Sequence, residues 1–263
     1  MIPYVFIFDI DGCILGDVHY LTKEFILYKK LSEILGQSPD YKPNFEIDLK
    51  AGILRPGFIE FINCIKKRFY PCEFYVYTNS SYDWTNNGLV SSIEKASKIK
   101  FNKPYFTRET SINGKKSLAE AFTTIFEKLS KKYENLDKDD IINNRLVFID
   151  NIKENTTTYK NRQITCPDYN YIVYRNIFEN MFNIYGNKLY LKQIEELFKY
   201  FNYYNINSKN IKNNNIMLYN IRKLIDLRQC ELTQNKYKDD KFFYMLCDKL
   251  TDLSDKNIAL CNK

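Results

Sequence analysis

Three apolar runs in this chain end in side chains suited to phosphate or metal chemistry. The first, residues 3–9, ends in Asp9-Ile10-Asp11-Gly12. The second, residues 73–77, leads into Thr78-Asn79-Ser80-Ser81. The third, residues 146–149, leads into Asp150-Asn151-Ile152-Lys153-Glu154-Asn155. A carboxylate at the end of a buried strand is costly unless something pairs with it. Several carboxylates converging need a cation, and an all-oxygen donor set suits Mg²⁺.

Positioning them is a matter of the elements that carry them. Unbroken apolarity, as in Val5-Phe6-Ile7-Phe8, marks a strand covered on both faces, as in a parallel sheet. Residues 56–69 have helical spacing, with Pro56 in the first turn and Phe58, Phe61, Ile62, Ile65 and Phe69 in one stripe. Residues 117–133 form a second helix, with a Ser117/Glu120 capping box. Residues 22–35 form a further helix that Gly36 ends. Residues 163–166 and 171–174 read as short strands. Strand, helix, strand, helix, strand predicts an α/β fold, a Rossmann-like three-layer parallel sheet. Its ligands bind at the carboxyl ends of the strands, where the three polar sets meet. Beyond residue 176 the pattern turns helical (189–201, 216–227 and 242–253). The expected organisation is a core over 1–178, with a small helical insertion at 16–54, and a helical C-terminal extension over 179–263.

Composition narrows the class. Apolar residues make up 44% and charged residues 27% of the 263 positions, ordinary for a soluble globular protein. No apolar run approaches the roughly 18–20 residues a membrane span needs. Residues 1–10 lack a basic leader and run into the aspartates, so they read as a strand rather than a signal peptide. An intracellular location, cytoplasmic or nuclear, is expected. Seven scattered cysteines, with no CxxC pair and the single histidine His19, exclude a structural zinc site; reduced thiols are expected. The net charge of +7 suits nucleic acid or another phosphate-rich partner. It is equally what an abundance of surface lysine produces.

DxDG after a strand, a second strand ending Thr78-Asn79, a lysine at a helix start and Phe148-Ile149-Asp150-Asn151 with Glu154-Asn155 follow one another in order. Over roughly residues 1–178 this series resembles the haloacid dehalogenase (HAD) superfamily of aspartate-nucleophile phosphatases. Arg55-Pro56-Gly57-Phe58 with Phe61, Phe106-Thr107-Arg108-Glu109 and Lys116-Ser117-Leu118 further resemble the RNA polymerase II C-terminal-domain phosphatases and their small relatives, the NLI-interacting-factor group. The chain departs from that group at Gly12-Cys13, where the group reads DxDET, and at Ser117, where it reads KDL. Glu154-Asn155 is similar instead to HAD enzymes with small substrates.

The resemblance implies roles. Asp9 is the expected nucleophile, forming an aspartyl-phosphate, and Asp11 the general acid and then base. Asp150 is the expected Mg²⁺ ligand, with Asp9 and the backbone carbonyl of Asp11. Asn151 and Glu154 act through metal-bound water, Glu154 from a helix that starts at Asp150. Thr78 and the amide of Asn79 hold phosphate oxygens. Lys116, with Lys115 as its rival, neutralises the phosphoryl group. Arg55, His19 and Trp84 read as structural, and Cys13 lacks a base. Neither 16–54 nor 80–114 is long enough for a large lid, so a nearly capless form with an open crevice is expected. Such a crevice suits a phosphorylated macromolecule, first a phosphoserine or phosphothreonine protein and otherwise a polynucleotide end or nucleotide. A non-enzymatic binding or scaffold module is the third reading.

Overall fold

The computed structural model describes residues 1–17, 28–36, 45–82, 85–111, 114–173, 180 and 234–263. Four strands form one sheet: β1 (Tyr4–Phe8), β2 (Cys72–Val76), β3 (Leu146–Asp150) and β4 (Gln163–Thr165). Their order is β2-β1-β3-β4, and every pairing is parallel. The register sets Phe8 opposite Val76 and Ile149, and Asp150 opposite Thr165. The carboxyl ends of β1, β2 and β3 therefore lie side by side.

Helices cover both faces. They are α1 (Phe58–Arg68), α2 (Val90–Ser97), α3 (Leu118–Leu129), α4 (Phe242–Lys249) and α5 (Asp255–Cys261). Strand side chains alternate between faces. Val5, Ile7, Leu146 and Phe148 pack against Leu118, Phe122 and Ile125 of α3. Phe8 turns the other way, its ring 5.5 Å from that of Phe58 and 6.4 Å from that of Phe61 on α1. Burying one such ring is worth roughly 1.5–3 kcal/mol. At the start of α3, Ser117 Oγ accepts from the Glu120 amide at 3.4 Å. The Ser117 amide donates to Tyr77 Oη at 3.1 Å, so a partner from β2's end takes the place of the Glu120 side chain in the expected box.

The chain divides into two compact units. Met1–Gly16, Phe45–Tyr171 and Tyr237–Lys263 form the unit that carries the sheet. Asp17–Asn44 and Ile172–Lys236 form the other. In the second unit, residues 28–34 are helical and Gly36 follows with φ +65°. The helices read at 189–201 and 216–227, the first part of the one at 22–35, His19 and Trp84 lie outside the described residues.

Three local expectations change. Residues 171–173 form no strand; the Tyr171 ring instead stacks on Tyr169 at 6.0 Å and lies against Gly52. Residues 151–154 form a turn rather than a helix, because Asp150 Oδ1 accepts from the Ile152 amide at 2.7 Å and Glu154 has φ +56°. The cysteines are not all thiols: Cys64 of α1 and Cys247 of α4 form a disulfide across 183 residues. Cys13, Cys72, Cys166 and Cys261 are free. The pairing follows from α4 packing on α1, where the Phe243 ring sits 5.2 Å from Phe58 and 5.3 Å from Phe61. Among the described residues no helix is long and apolar enough to cross a membrane.

Candidate active site

Asp9 follows β1 directly, and its amide donates to the Ile149 carbonyl of β3 at 2.9 Å. That bond places Asp9 beside Asp150, the last residue of β3. Lys116 lies between the two acids. Its Nζ is 2.8 Å from Asp9 Oδ1 and 2.7 Å from Asp150 Oδ2. Lys116 and Asp150 are fully buried, and Asp9 nearly so. The lysine backbone is tied down on both sides: its amide donates to the Asn155 carbonyl at 2.9 Å, and its carbonyl accepts from the Thr157 amide at 2.9 Å. The ammonium also lies over the rings of Phe148 (5.2 Å) and Tyr77 (5.8 Å), a favourable setting for a desolvated cation. Lys115 is exposed, so the structure brings Lys116 and not Lys115 to the acids.

Asp11 is held from the second strand end. Its Oδ2 accepts from Thr78 Oγ1 at 3.1 Å and from Ser80 Oγ at 2.6 Å. Thr78 is buried because its amide is bonded to the Phe106 carbonyl at 2.9 Å. Asn79 is half-buried; its carbonyl accepts from Arg108 Nε at 2.9 Å and its Oδ1 from Ser111 Oγ at 3.4 Å. Asn151 donates from Nδ2 to Asp168 at 2.7 Å and lies against Gly12, where any added Cβ would come within 2.8 Å of it. Gly12 has φ +71°, so glycine is required there on two counts. Glu154 is exposed and lines a surface groove rather than reaching Asp9 or Asp150. Its neighbour Asn155 turns inward and donates from Nδ2 to Asp150 Oδ2 at 2.8 Å. Ser80, Asn155 and Asp168 thus belong to the site's hydrogen-bond network, although the sequence reading gave them no role. Ser80 and Asn155 stand in the same polar strand-end runs, one or two residues beyond Thr78, Asn79 and Glu154.

Charge is out of balance here. Two carboxylates, Asp9 and Asp150, meet one ammonium, and Asp11 lies near enough to repel Asp9. Burial, together with repulsion from Asp150 and Asp11, pushes Asp9 up to about 7 against the pull of Lys116. Burial would depress Lys116, but Asp9 and Asp150 outweigh it and raise its hold on the proton. Three buried oxygens lack a well-directed hydrogen bond: Asp9 Oδ1, Asp11 Oδ1 and Asn151 Oδ1. Asp9 Oδ1 has its 2.8 Å ammonium contact and no other partner. Orphaned oxygen acceptors beside uncompensated negative charge fit a divalent cation that takes oxygen ligands. Among the described residues no three carboxylate, thiol or imidazole side chains gather as a ready-made metal cluster. A cation here would draw on Asp9 and Asp150 with amide or carbonyl oxygens. Cys13 offers no nucleophile: its thiol is buried, directed at the Ile149 carbonyl at 3.6 Å, and burial pushes its pKa well up.

Arg55 forms a separate cluster. Its guanidinium makes a paired contact with Asp240, Nε–Oδ1 at 3.1 Å and Nη2–Oδ2 at 2.8 Å. Nη1 donates to the carbonyls of Cys13 (3.2 Å) and Pro167 (2.8 Å). Phe242, Tyr169 and Phe243 surround it at 4.7, 5.2 and 5.7 Å. Arg55 is therefore committed to structure, as the sequence suggests.

No protein-family model matches this sequence, and no curated protein matches it. Among solved structures it is similar to one described as the structure of Fcp1, an essential RNA polymerase II CTD phosphatase, at 16% sequence identity and a TM-score of 0.35. That match covers 91% of this chain and 64% of the other, so the chain spans less than two thirds of that chain's length.

Proposed function

We propose that this protein is a Mg²⁺-dependent phosphomonoesterase of the HAD type, acting on phosphoserine or phosphothreonine in a protein. The observation that carries the reading is the buried Asp9–Lys116–Asp150 triad, two acids on one ammonium, at the carboxyl ends of neighbouring parallel strands, with Asp11 Oδ1 and Asn151 Oδ1 left without a hydrogen bond on the adjoining residues. Asp9, Asp150 and Asn151, with the Asp11 carbonyl, would hold the metal ion, which when bound shields the repulsion between carboxylate and phosphate. An Asp9 carboxylate oxygen attacks phosphorus in line as the bond to the leaving oxygen breaks. Asp11, oriented by Thr78 and Ser80, gives that oxygen a proton. In the second half Asp11 takes a proton from water, the water oxygen bonds to phosphorus, and Asp9 is released with inorganic phosphate. Lys116 holds Asp9 in place and balances the charge that gathers on the phosphoryl oxygens.

The test is phosphate release from an aryl phosphate with and without Mg²⁺, beside Asp9→Asn. The expected loss in the variant is on the order of 10³-fold or more. A phosphopeptide against a 3′-phosphorylated oligonucleotide then decides the substrate class. Turnover of the oligonucleotide alone would replace the protein substrate with a polynucleotide. No turnover across a panel of phosphoesters would leave a binding module.

A further inference from the structure

The geometry points to a docking groove for an acidic, partly apolar polypeptide segment along the outer edge of β4, the strand next to the one that ends in Asp150. It rests on the phosphatase reading in taking that segment to flank the phosphorylated residue. Two hollows form the groove. One, of about 500 Å³, is lined by Lys153, Glu154, Lys160 and the β4 end. The other, of about 360 Å³, is lined by Lys241, Met245, Leu246 and Lys249. They share Thr165, Pro167 and Asn262 as a common wall. The first hollow adjoins the strand that carries Asp150: Lys153 is three residues after Asp150, and the Cys166 amide donates to the Asp150 main-chain carbonyl at 2.9 Å.

Charge says what fits. Lys153, Lys160, Lys241 and Lys249 are exposed, and no salt bridge joins any of them to another described residue. Against them stand only Glu154 and Asp240, and Asp240 is spent on Arg55. A groove lined mainly by one sign of charge raises the local concentration of an oppositely charged partner. The second hollow's lining adds apolar side chains, Met245, 54% exposed, and Leu246. The lining has no arginine, and its one aromatic, Phe242, already faces the Arg55 guanidinium. It therefore lacks the stacking platforms on which single-stranded nucleic acid relies, whereas leucine-like side chains between acidic ones match it. The partner does not add as a strand, because Asn262 closes the β4 edge: its Nδ2 donates to the Gln163 carbonyl at 3.1 Å and its Oδ1 accepts from the Thr165 amide at 2.7 Å.

The experiment uses a labelled peptide of alternating glutamate and leucine around one serine, its glutamine counterpart and the phosphoserine form of each. Binding is read by fluorescence anisotropy at low salt. The acidic peptide is expected to bind without phosphate. Lys153→Glu/Lys160→Glu and Lys241→Glu/Lys249→Glu should each weaken it roughly tenfold or more. Aryl-phosphate turnover should stay unchanged in both, and KM for the acidic phosphopeptide should lie below that for the glutamine one at equal kcat. Affinity indifferent to both double variants overturns the groove, as does displacement by single-stranded DNA more strongly than by unlabelled peptide. Lysine-dependent binding with no phosphate release sinks the phosphatase reading and leaves the groove; turnover with equal KM for both phosphopeptides does the reverse.

Discussion

Two of the buried cations, Arg55 and Lys116, tie loops together and are compensated in opposite ways. Arg55 meets one carboxylate in a paired contact, two carbonyls and a cage of aromatic rings. Its charge is matched and its donors are used. Lys116 meets two carboxylates, with a third close by, and leaves carboxylate and amide oxygens unpartnered. A matched cluster fixes geometry; an over-negative one holds capacity in reserve for another positive species or for a proton. The two are linked in space. Arg55 is bonded to the carbonyl of Cys13, two residues after Asp11, so the balanced cluster braces the loop that carries the unbalanced one.

The contrast can be broken at several points. The largest expected effect is on folding. Lys116→Met strands Asp9 and Asp150 in the interior, and losing one partner of a buried charge network costs about 3–5 kcal/mol. Urea unfolding measures it, and a variant as stable as the parent would show that the acids do not need this cation. Next is Asp240→Asn, which leaves the guanidinium with neutral partners only, at a cost of about 2–3 kcal/mol. Its aryl-phosphate kcat should fall while Asp240→Glu restores part of it. A kcat equal to that of the parent would cut the link between the two clusters.

The smallest effect per step is with pH. Asp9 keeps its proton up to about 7 in the folded chain and gives it up near 3.8 in the unfolded one. The folded state therefore binds more protons in between. In EDTA, stability should fall as pH rises through that window, by no more than about 1.4 kcal/mol per pH unit, and level off above 7. Glu46, Glu109, Asp140 and Asp252 are lowered by hydrogen bonds to Lys95, Thr107, Asn144 and Ser254 respectively, and act in the opposite sense. They titrate below the ordinary carboxylate range, so they contribute little between pH 5 and 7, and comparison with Asp9→Asn assigns the slope there. The slope should vanish in Asp9→Asn and shrink with saturating Mg²⁺. A flat or rising profile in the parent would mean that Asp9 is already compensated without a metal.

Much of this was legible in residue order. Unbroken apolarity at residues 4–8 and 146–149 signals strands covered on both faces, and both are strands with helices on each side. The stripe at residues 58–69 signals α1. The helix expected from Asp150 to Glu154 does not form, because four-residue spacing signals one helix face only where a helix forms; the Asp150 side chain captures the Ile152 amide and turns the chain first. The Cys64–Cys247 bridge and the Arg55–Asp240 pair were not legible at all. Each joins residues more than 180 positions apart, and no local pattern encodes which distant partner will arrive.

What residue order settled by itself is the set of buried strands and the acids and hydroxyls at their ends, because burial period and residue type are local properties. Which of those side chains share a space was a matter for the folded chain. Parallel register brings Asp9 against Asp150, a bridge from residue 116 to 156 delivers Lys116 between them, and the segment from Tyr237 onward returns to brace the Asp11 loop. Charge acts through distance in space, and only the packed structure sets that distance.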